Sequence, residues 1–272
     1  METGIYYGLS NEDYHNGPGI SKSQLDHIAK SPAHYLFMKN APVDAEKLKA
    51  LDMGTALHCL LLEPDEFHNR FIEAPEFNRR TNKGKEDEKE FLKSCESTGK
   101  IVMDHEQHRK LKLMRDSAFA HHGARYFLEA EGVSEASIYW TDSDTDELCR
   151  IRPDKMISNQ PVIIDVKKVA DMSRFDRHIE EFRYHVQNAM YQEGYLRHYG
   201  EMPVFLFLAV SETVDCGRYP VHVYELDQDD IDVGFRLFKQ NLHTFHECRI
   251  SDDWGGIEPI SRPAWARRIS ND

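Results

Sequence analysis

The sequence predicts an α/β protein in which a central mixed β-sheet is flanked by helices. Three observations predict it. From Glu135 the pattern changes from helical periodicity to short, strand-like segments. A strand, a long helix and a second strand then follow in the order of a βαβ crossover. Amphipathic helical patterns stand before and after this region in the chain.

Residues 4–20 carry Gly4, Tyr6, Tyr7, Tyr14, Gly17, Pro18 and Gly19 and read as an irregular arm anchored by aromatic rings. Ser21 and Gln24 fit a capping box that starts a short helix with Leu25 and Ile28 as its buried stripe. Pro32 opens the next helix at a position where its missing N–H costs nothing. Tyr35, Leu36 and Met38 form that helix's apolar face. Leu51 to Leu62 is a further helix, ended by Pro64, with Ala56, Leu57, Leu60 and Leu61 on its apolar face and His58 beside it. Residues 77–92 open basic and turn acidic. They read either as a solvated loop leading into a helix or as a contact for nucleic-acid phosphates through Arg79, Arg80, Lys83 and Lys85. Helical patterns over 104–118 and 123–131 complete an N-terminal helical portion of about residues 20–131.

Ala136 to Trp140 is a strand, Asp142 to Glu147 a polar turn, and Leu148 to Arg152 the returning strand. Val162 to Lys167 follows after the turn Asn159-Gln-Pro161, and the simplest arrangement of the three is a meander. Ser173 to Tyr199 reads as one long helix with Phe175, Ile179, Phe182, Val186 and Met190 as its buried stripe. Arg183, Gln187 and Tyr191 line an adjoining face. Val204 to Val210 is a continuous apolar run, as expected of a strand covered on both faces. Tyr219 to Leu226 is a last strand, pushed towards an edge by Pro220. Asp227 caps a final helix whose stripe is Ile231, Phe235, Phe238, Leu242 and Phe245. The tail 251–272, with Trp254, Pro259, Pro263, Trp265, Arg267 and Arg268, reads as irregular, lying against the body through its tryptophans or against a second subunit. With 272 residues, 40% of them hydrophobic, the chain reads as one domain.

The balance of 34 basic against 47 acidic residues, a net charge of −13, argues against coating nucleic acid with the whole surface. It leaves room for a locally basic channel and makes cations between protein carboxylates and phosphate more necessary. The absence of a run of 18 apolar residues or a signal-peptide layout leads to the expectation of a cytoplasmic, non-membrane protein. The five cysteines, Cys59, Cys95, Cys149, Cys216 and Cys248, are too scattered for a disulfide framework, a closed zinc site or an iron–sulfur cluster. His243, His246 and Cys248 read as a solvated helix face.

The chemistry concentrates at Arg152-Pro-Asp154-Lys155 and Asp165-Val-Lys167, with ten residues between the two aspartates. In a strand, Asp165 and Lys167 share a face and Val166 points to the other. If residues 148–152 pair with 162–167 as a hairpin, two carboxylates and an ammonium converge at its end. Oxygen ligands suit Mg²⁺, and a lysine beside the ion can orient or deprotonate a water. That is chemistry for phosphodiester hydrolysis.

Beyond this motif, the chain resembles the RecB-like branch of the PD-(D/E)xK nuclease superfamily, and within it the RecE-type (exonuclease VIII) nuclease domains. The residues that carry the resemblance are Gly19-Ile-Ser-Lys-Ser-Gln-Leu25, Lys39-Asn-Ala-Pro-Val43, Met53-Gly-Thr-Ala-Leu-His58, Ala74-Pro-Glu-Phe-Asn-Arg-Arg80 and Ser137-Ile-Tyr-Trp140. They continue with the two aspartate motifs, Arg183-Tyr-His-Val-Gln187 with Tyr191, and Cys216-Gly-Arg-Tyr-Pro220. The resemblance implies a restriction-endonuclease-like core. It makes Asp154, Asp165, His58 and the Val166 carbonyl the ligands of Mg²⁺, with Mn²⁺ as substitute. Lys167 becomes the motif lysine, and Gln187 and Tyr191 the Q-x-x-x-Y element. Asp165 stands where the wider superfamily more often has Glu, as in RecE-type sequences, and Lys168 stands where a small hydroxyl residue is common. Glu135 matches a further acid of some members of the superfamily, but it stays outside the site because a solvent-facing strand start explains it equally well.

The implied activity is 5′-to-3′ digestion of double-stranded DNA from its ends, leaving 3′ single strands for a RecT-like annealing protein. The implied assembly is a homo-oligomeric ring, a tetramer in RecE. Arg183 joins the DNA contacts. The alternatives are a structure-specific endonuclease of the same superfamily and a non-catalytic DNA-end-binding or recombinase-docking module.

Overall fold

The computed structural model describes residues 1–44, 53–257, 260–263 and 266. Leu51, where a helix was expected to begin, and the tail residues Pro259, Trp265, Arg267 and Arg268 lie outside the described residues.

The N-terminal arm contains two regular elements, strand β1 (Gly4–Tyr6) and helix α1 (Asn11–Asn16). Helix α2 (Lys22–Lys30) starts as its capping residues predict, with the Ser21 N–H donating to Gln24 Oε1 at 2.9 Å. Helix α3 (Pro32–Asn40) follows with Pro32 in its first turn. It rests on the molecule along a narrow line, so Tyr35 is buried while Met38, expected inside, is exposed. Helices α4 (Met53–Leu62) and α5 (Pro64–Arg70) are separated at Glu63 and Pro64. Strand β2 (Phe71–Glu73), helix α6 (Asn82–Thr98) and strand β3 (Ile101–Met103) form a small parallel pair with its crossover. Helices α7 (His105–Ala120) and α8 (His122–Glu129) complete this half.

The expected three-strand meander is corrected. Strands β4 (Gly132–Ser134), β5 (Ser137–Thr141), β6 (Leu148–Ile151), β7 (Lys155–Ile157) and β8 (Val162–Val169) belong to two sheets. β5 and β6 pair antiparallel and take β1 as their third strand. β7 pairs with β4 and β8 instead, so residues 148–152 do not pair with 162–167. A hairpin is thus split between two sheets, and its chains cross from one to the other at Glu135 and at Pro153–Asp154. Proline has no N–H to continue a ladder, which ends β6 and delays β7 until Lys155.

After β8 the expected single helix is broken. A 3₁₀ turn (Met172–Arg174) leads into α9 (Phe175–Glu181), and α10 (Tyr184–Tyr199) starts afresh. Arg183 between them has φ +54°, a left-handed conformation that no continuous helix accepts. Strand β9 (Val204–Ser211) returns parallel to β8, β10 (Val221–Glu225) pairs antiparallel on its far side, and α11 (Gln228–Ser251) closes the order. The main sheet therefore runs β10-β9-β8-β7-β4, mixed and flanked by helices.

Two cores follow from strand alternation. Val162, Ile164 and Val166 of β8, with Leu206, Leu208 and Val210 of β9, face Ala56, Leu57 and Leu60 of α4 and Leu111 and Met114 of α7. Ile163 of β8, with Phe205, Phe207 and Ala209, faces Val186 and Met190 of α10 and Phe238 and Leu242 of α11. Of the final helix's stripe, Phe235 is exposed at 39%. Trp254 does lie against the body, stacked on Tyr35 at 5.3 Å between ring centroids. α10 and α11 approach so closely at Gly234 that a Cβ there would stand 2.1 Å from the His185 carbonyl oxygen.

Arg150 and Arg152 are buried. Arg150 donates to the carbonyls of Tyr14, Gly17 (2.6 Å), Pro18 (3.2 Å) and His15 (3.1 Å). Arg152 donates to Ser137 Oγ, Asn11 Oδ1 and the Leu9 carbonyl, all at 2.8–2.9 Å, with its guanidinium 4.2 Å over the Tyr14 ring. The two arginines hold the N-terminal arm onto β5 and β6. They also place Gly8–Asn11 along the rim of the cavity described next.

Candidate active site

The site lies where β7 stops short. Lys155 pairs with Ile164 and Met156 with Ile163. Continuing that register would set Pro153 opposite Val166, where no N–H is available. The Val166 main chain therefore turns to side chains. Its N–H donates to Asp154 Oδ2 at 2.6 Å, and its carbonyl lies 2.7 Å from His58 Nε2. His58 comes from α4, whose apolar residues rest on the Val166 face of the sheet.

The other face of β8 carries Asp165 and Lys167, whose Nζ and Oδ2 are 2.5 Å apart. The Gln187 amide, one turn into α10, donates to Asp165 Oδ1 at 2.5 Å. Tyr191, one turn later, packs edge-on against Phe205, and its hydroxyl is pushed well above its usual range by burial and by the charges of Asp165, Asp154 and Glu135. His58, Asp154, Asp165, Val166, Lys167, Gln187 and Tyr191 thus meet, although the strand pairing expected to bring them together is not the one that does.

One acid that the sequence reading set aside lies beside these residues. Glu135 is not a solvent-facing strand start. It sits at the second crossing between the sheets with φ +55°, and its N–H donates to the Asp154 carbonyl at 3.2 Å. A left-handed backbone at a residue with a Cβ marks a position held by its surroundings. The resemblance offers Glu135 as a further acid, but residue type and position alone do not separate that reading from an exposed strand start.

Ligand atoms of His58, Glu135 and Asp154 all lie within 4.8 Å of one another. Burial first, then Asp154, pushes the Glu135 carboxyl up to about 7, against the opposing pull of His58 and Arg152. Burial and the nearby Asp165 likewise raise Asp154, with His58 and Lys167 opposing. Two crowded carboxylates short of positive charge fit a divalent cation. The imidazole agrees: in the neutral tautomer that donates from Nε2 to Val166, the bare Nδ1 faces Asp154 Oδ2 at 3.4 Å. That spacing suits two ligands sharing one ion at about 2.1 Å each. The donor set is therefore a hard, mainly oxygen set suited to a divalent metal.

Burial opposes the charge on Lys167, but Asp165 and Asp154 outweigh it and hold its pKa above the ordinary lysine value. The ammonium lies 4.8 Å over the Tyr184 ring. A cavity of about 850 Å³ opens from His58 and Glu135 past Gly8–Asn11, Cys59, Arg70 and Ile101.

The suggested basic contact is only partly available. Arg79 is bound by Glu88, with Nη2 donating to Oε1 at 2.6 Å, and with Arg80 it lines a different cavity beside Phe91 and Asp104. Lys83 and Lys85 are exposed on the first turn of α6. Arg183 is not in line with Gln187 and Tyr191, because it caps α10 from outside the helix and faces Asp26 at 3.5 Å.

Residues 21–257 match a family profile described as a PDDEXK-like domain of unknown function, DUF3799. The chain belongs to this family. The PDDEXK-like assignment agrees with the superfamily that the aspartate motifs suggested, and with the mixed, helix-flanked sheet. A solved structure from Eubacterium rectale, provisionally named an exonuclease, shares the fold: TM-score 0.57 at 11% identity over 94% of this chain and 97% of that one. An alkaline exonuclease from Laribacter hongkongensis aligns over 84% of this chain and 96% of its own at 12% identity, with a TM-score of 0.31 too low to argue from. No curated protein matches the sequence significantly. Among the described residues, no helix is long and apolar enough to cross a membrane.

Proposed function

We propose that this PDDEXK-like chain is a Mg²⁺-dependent exonuclease that digests double-stranded DNA from its ends. The observation that carries this reading is the meeting of Asp154, Asp165, Glu135, His58 and Lys167 at the break between the two sheets. His58, Asp154, the Val166 carbonyl and either Asp165 or Glu135 would hold the cation, with Mn²⁺ as a substitute. A bound divalent cation supplies positive charge at the scissile phosphate and acidifies a neighbouring water.

The remaining chemistry belongs to the chain. Lys167, kept cationic by two aspartates, faces the developing negative charge on the phosphoryl oxygens rather than serving as a base. Gln187 fixes the rotamer of Asp165 from the opposite side. Glu135 and Asp154, whose pKa values are raised, are the groups able to exchange a proton near neutrality when the site is metal-free. Their position at a chain crossing, away from a flexible loop, keeps these groups from needing to reorganise during the reaction.

The 5′-to-3′ direction, a ring-shaped homo-oligomer enclosing the duplex, and delivery of 3′ strands to a RecT-like annealing protein belong to the same proposal, and the RecE-type resemblance supports them. A single domain spanning 1–272 is a further part of the proposal. An acidic protein must keep hold of DNA, and enclosure does so without a basic surface. The test compares linear with closed-circular duplex, with and without Mg²⁺. Digestion of the linear form alone, dependent on metal, is expected; nicking of the circle would instead identify a structure-specific endonuclease. No cleavage of either would leave a DNA-end-binding module.

A further inference from the structure

We infer that the elbow between α9 and α10 presents Phe182 as a stacking platform for a base of the strand being cut, an inference that rests on the nuclease reading above. Phe182 was expected in the buried stripe of an unbroken helix, but it is 48% exposed. The elbow that puts it there is built by residues from outside its own helices. Lys22 of α2 donates to the Phe182 carbonyl at 2.6 Å and pairs with Asp26 at 2.7 Å. Asp26 in turn faces the Arg183 guanidinium at 3.5 Å, and Arg183 itself takes the left-handed conformation that breaks the helix. The ring is thus held half exposed, on a backbone fixed by polar partners from another helix.

The ring continues a row of aromatic side chains that starts at the active-site lysine. Lys167 Nζ sits 4.8 Å over Tyr184, Tyr184 lies 5.6 Å from Phe182, and His178 flanks Phe182 at 5.3 Å. A phosphate facing Lys167 therefore has an exposed flat apolar surface within one nucleotide's reach. The charges nearby define which part of a nucleotide meets it. Glu180 and Glu181, the last residues of α9, repel the sugar-phosphate backbone, whereas Lys167, held cationic, attracts it. The base is left for Phe182. Stacking on an aromatic ring tolerates any sequence, because every base has a π face.

The test uses full-length wild type, Phe182→Ala and Phe182→Tyr on two linear duplexes, one of them abasic at the terminal nucleotide of the digested strand. Wild type should show a KM about tenfold lower for the intact end than for the abasic end. Phe182→Ala should erase that difference with unchanged sedimentation, and Phe182→Tyr should restore it. An undiminished preference for the intact end in Phe182→Ala overturns the inference. So does an equal loss on both duplexes, which marks a structural role, or a changed oligomeric state with the preference kept, which assigns the ring to contact between copies. If wild type cleaves neither duplex with Mg²⁺ or Mn²⁺, the nuclease reading itself fails.

Discussion

Replacing Glu135 by Gln keeps the side chain's size and removes its charge. In the metal-free protein, burial and the neighbouring Asp154 raise the Glu135 carboxyl from 4.5 to about 7. Between those values the folded chain holds a proton that the unfolded chain has released. Wild-type stability therefore falls as pH rises through this window and stays reduced above it. At about 1.4 kcal/mol per pH decade, the ceiling of the effect is about 3 kcal/mol, and partial solvation reduces it to about 2 kcal/mol. Glu135→Gln should remove that loss. In EDTA at about pH 8 the variant should be more stable by about 2 kcal/mol, roughly 5 °C in Tm, and at about pH 4 the two proteins should coincide. Mg²⁺ should then stabilise wild type more than the variant, because the ion supplies the charge that the acids lack. Denaturant titrations at the two pH values, with and without Mg²⁺, measure all of this. A variant no more stable than wild type at about pH 8 in EDTA, with the same response to Mg²⁺, would refute the reasoning.

Asp165→Ala should lower cleavage of linear duplex by about a thousandfold or more while circular dichroism stays that of the wild type. Gln187→Ala should lower it by about a hundredfold and cost about 1–3 kcal/mol, since Asp165 Oδ1 loses the amide that donates to it at 2.5 Å. Gly234→Ala should destabilise by about 1–3 kcal/mol, read by denaturation, because its Cβ would meet the His185 carbonyl and force α11 away from α10. Asp142, fully buried, is opposed in its ionisation by burial, yet the hydrogen bond and charge of Lys239 outweigh this and hold its pKa below 3.8. Its contribution is therefore present above pH 3.8 and lost as pH falls through the lower native value, and Asp142→Asn should flatten the acid limb of the stability profile.

Much of the fold was legible because it rests on local signals. The Ser21–Gln24 box, Pro32, the Asp227 cap and the apolar run of β9 each mark their element from neighbouring residues alone. That the candidate residues come together was legible for a different reason. Asp165 and Lys167 share a face in any strand, and Gln187 and Tyr191 share one in any helix, so their association survives an error in strand pairing. What was not legible depends on distant partners. β4 and β7 are three residues each, too short for a period to show, and they decide which sheet β8 joins. The burial of Arg150 and Arg152 was not legible, because most of their partners belong to the N-terminal arm, more than a hundred residues earlier. The break at Arg183 is held by Lys22 and Asp26, which no reading of residues 173–199 contains. Glu135 joins the site through a backbone conformation that its residue type does not advertise.

The most direct measurement is a time course on end-labelled linear duplex with wild type and Asp165→Ala, in Mg²⁺ and again in EDTA. Progressive release of label by wild type in Mg²⁺ alone, with none from the variant, is the predicted result. Equal degradation in EDTA, or a variant as active as wild type, would contradict the claim that the acids at the sheet break hold the ion that cuts DNA.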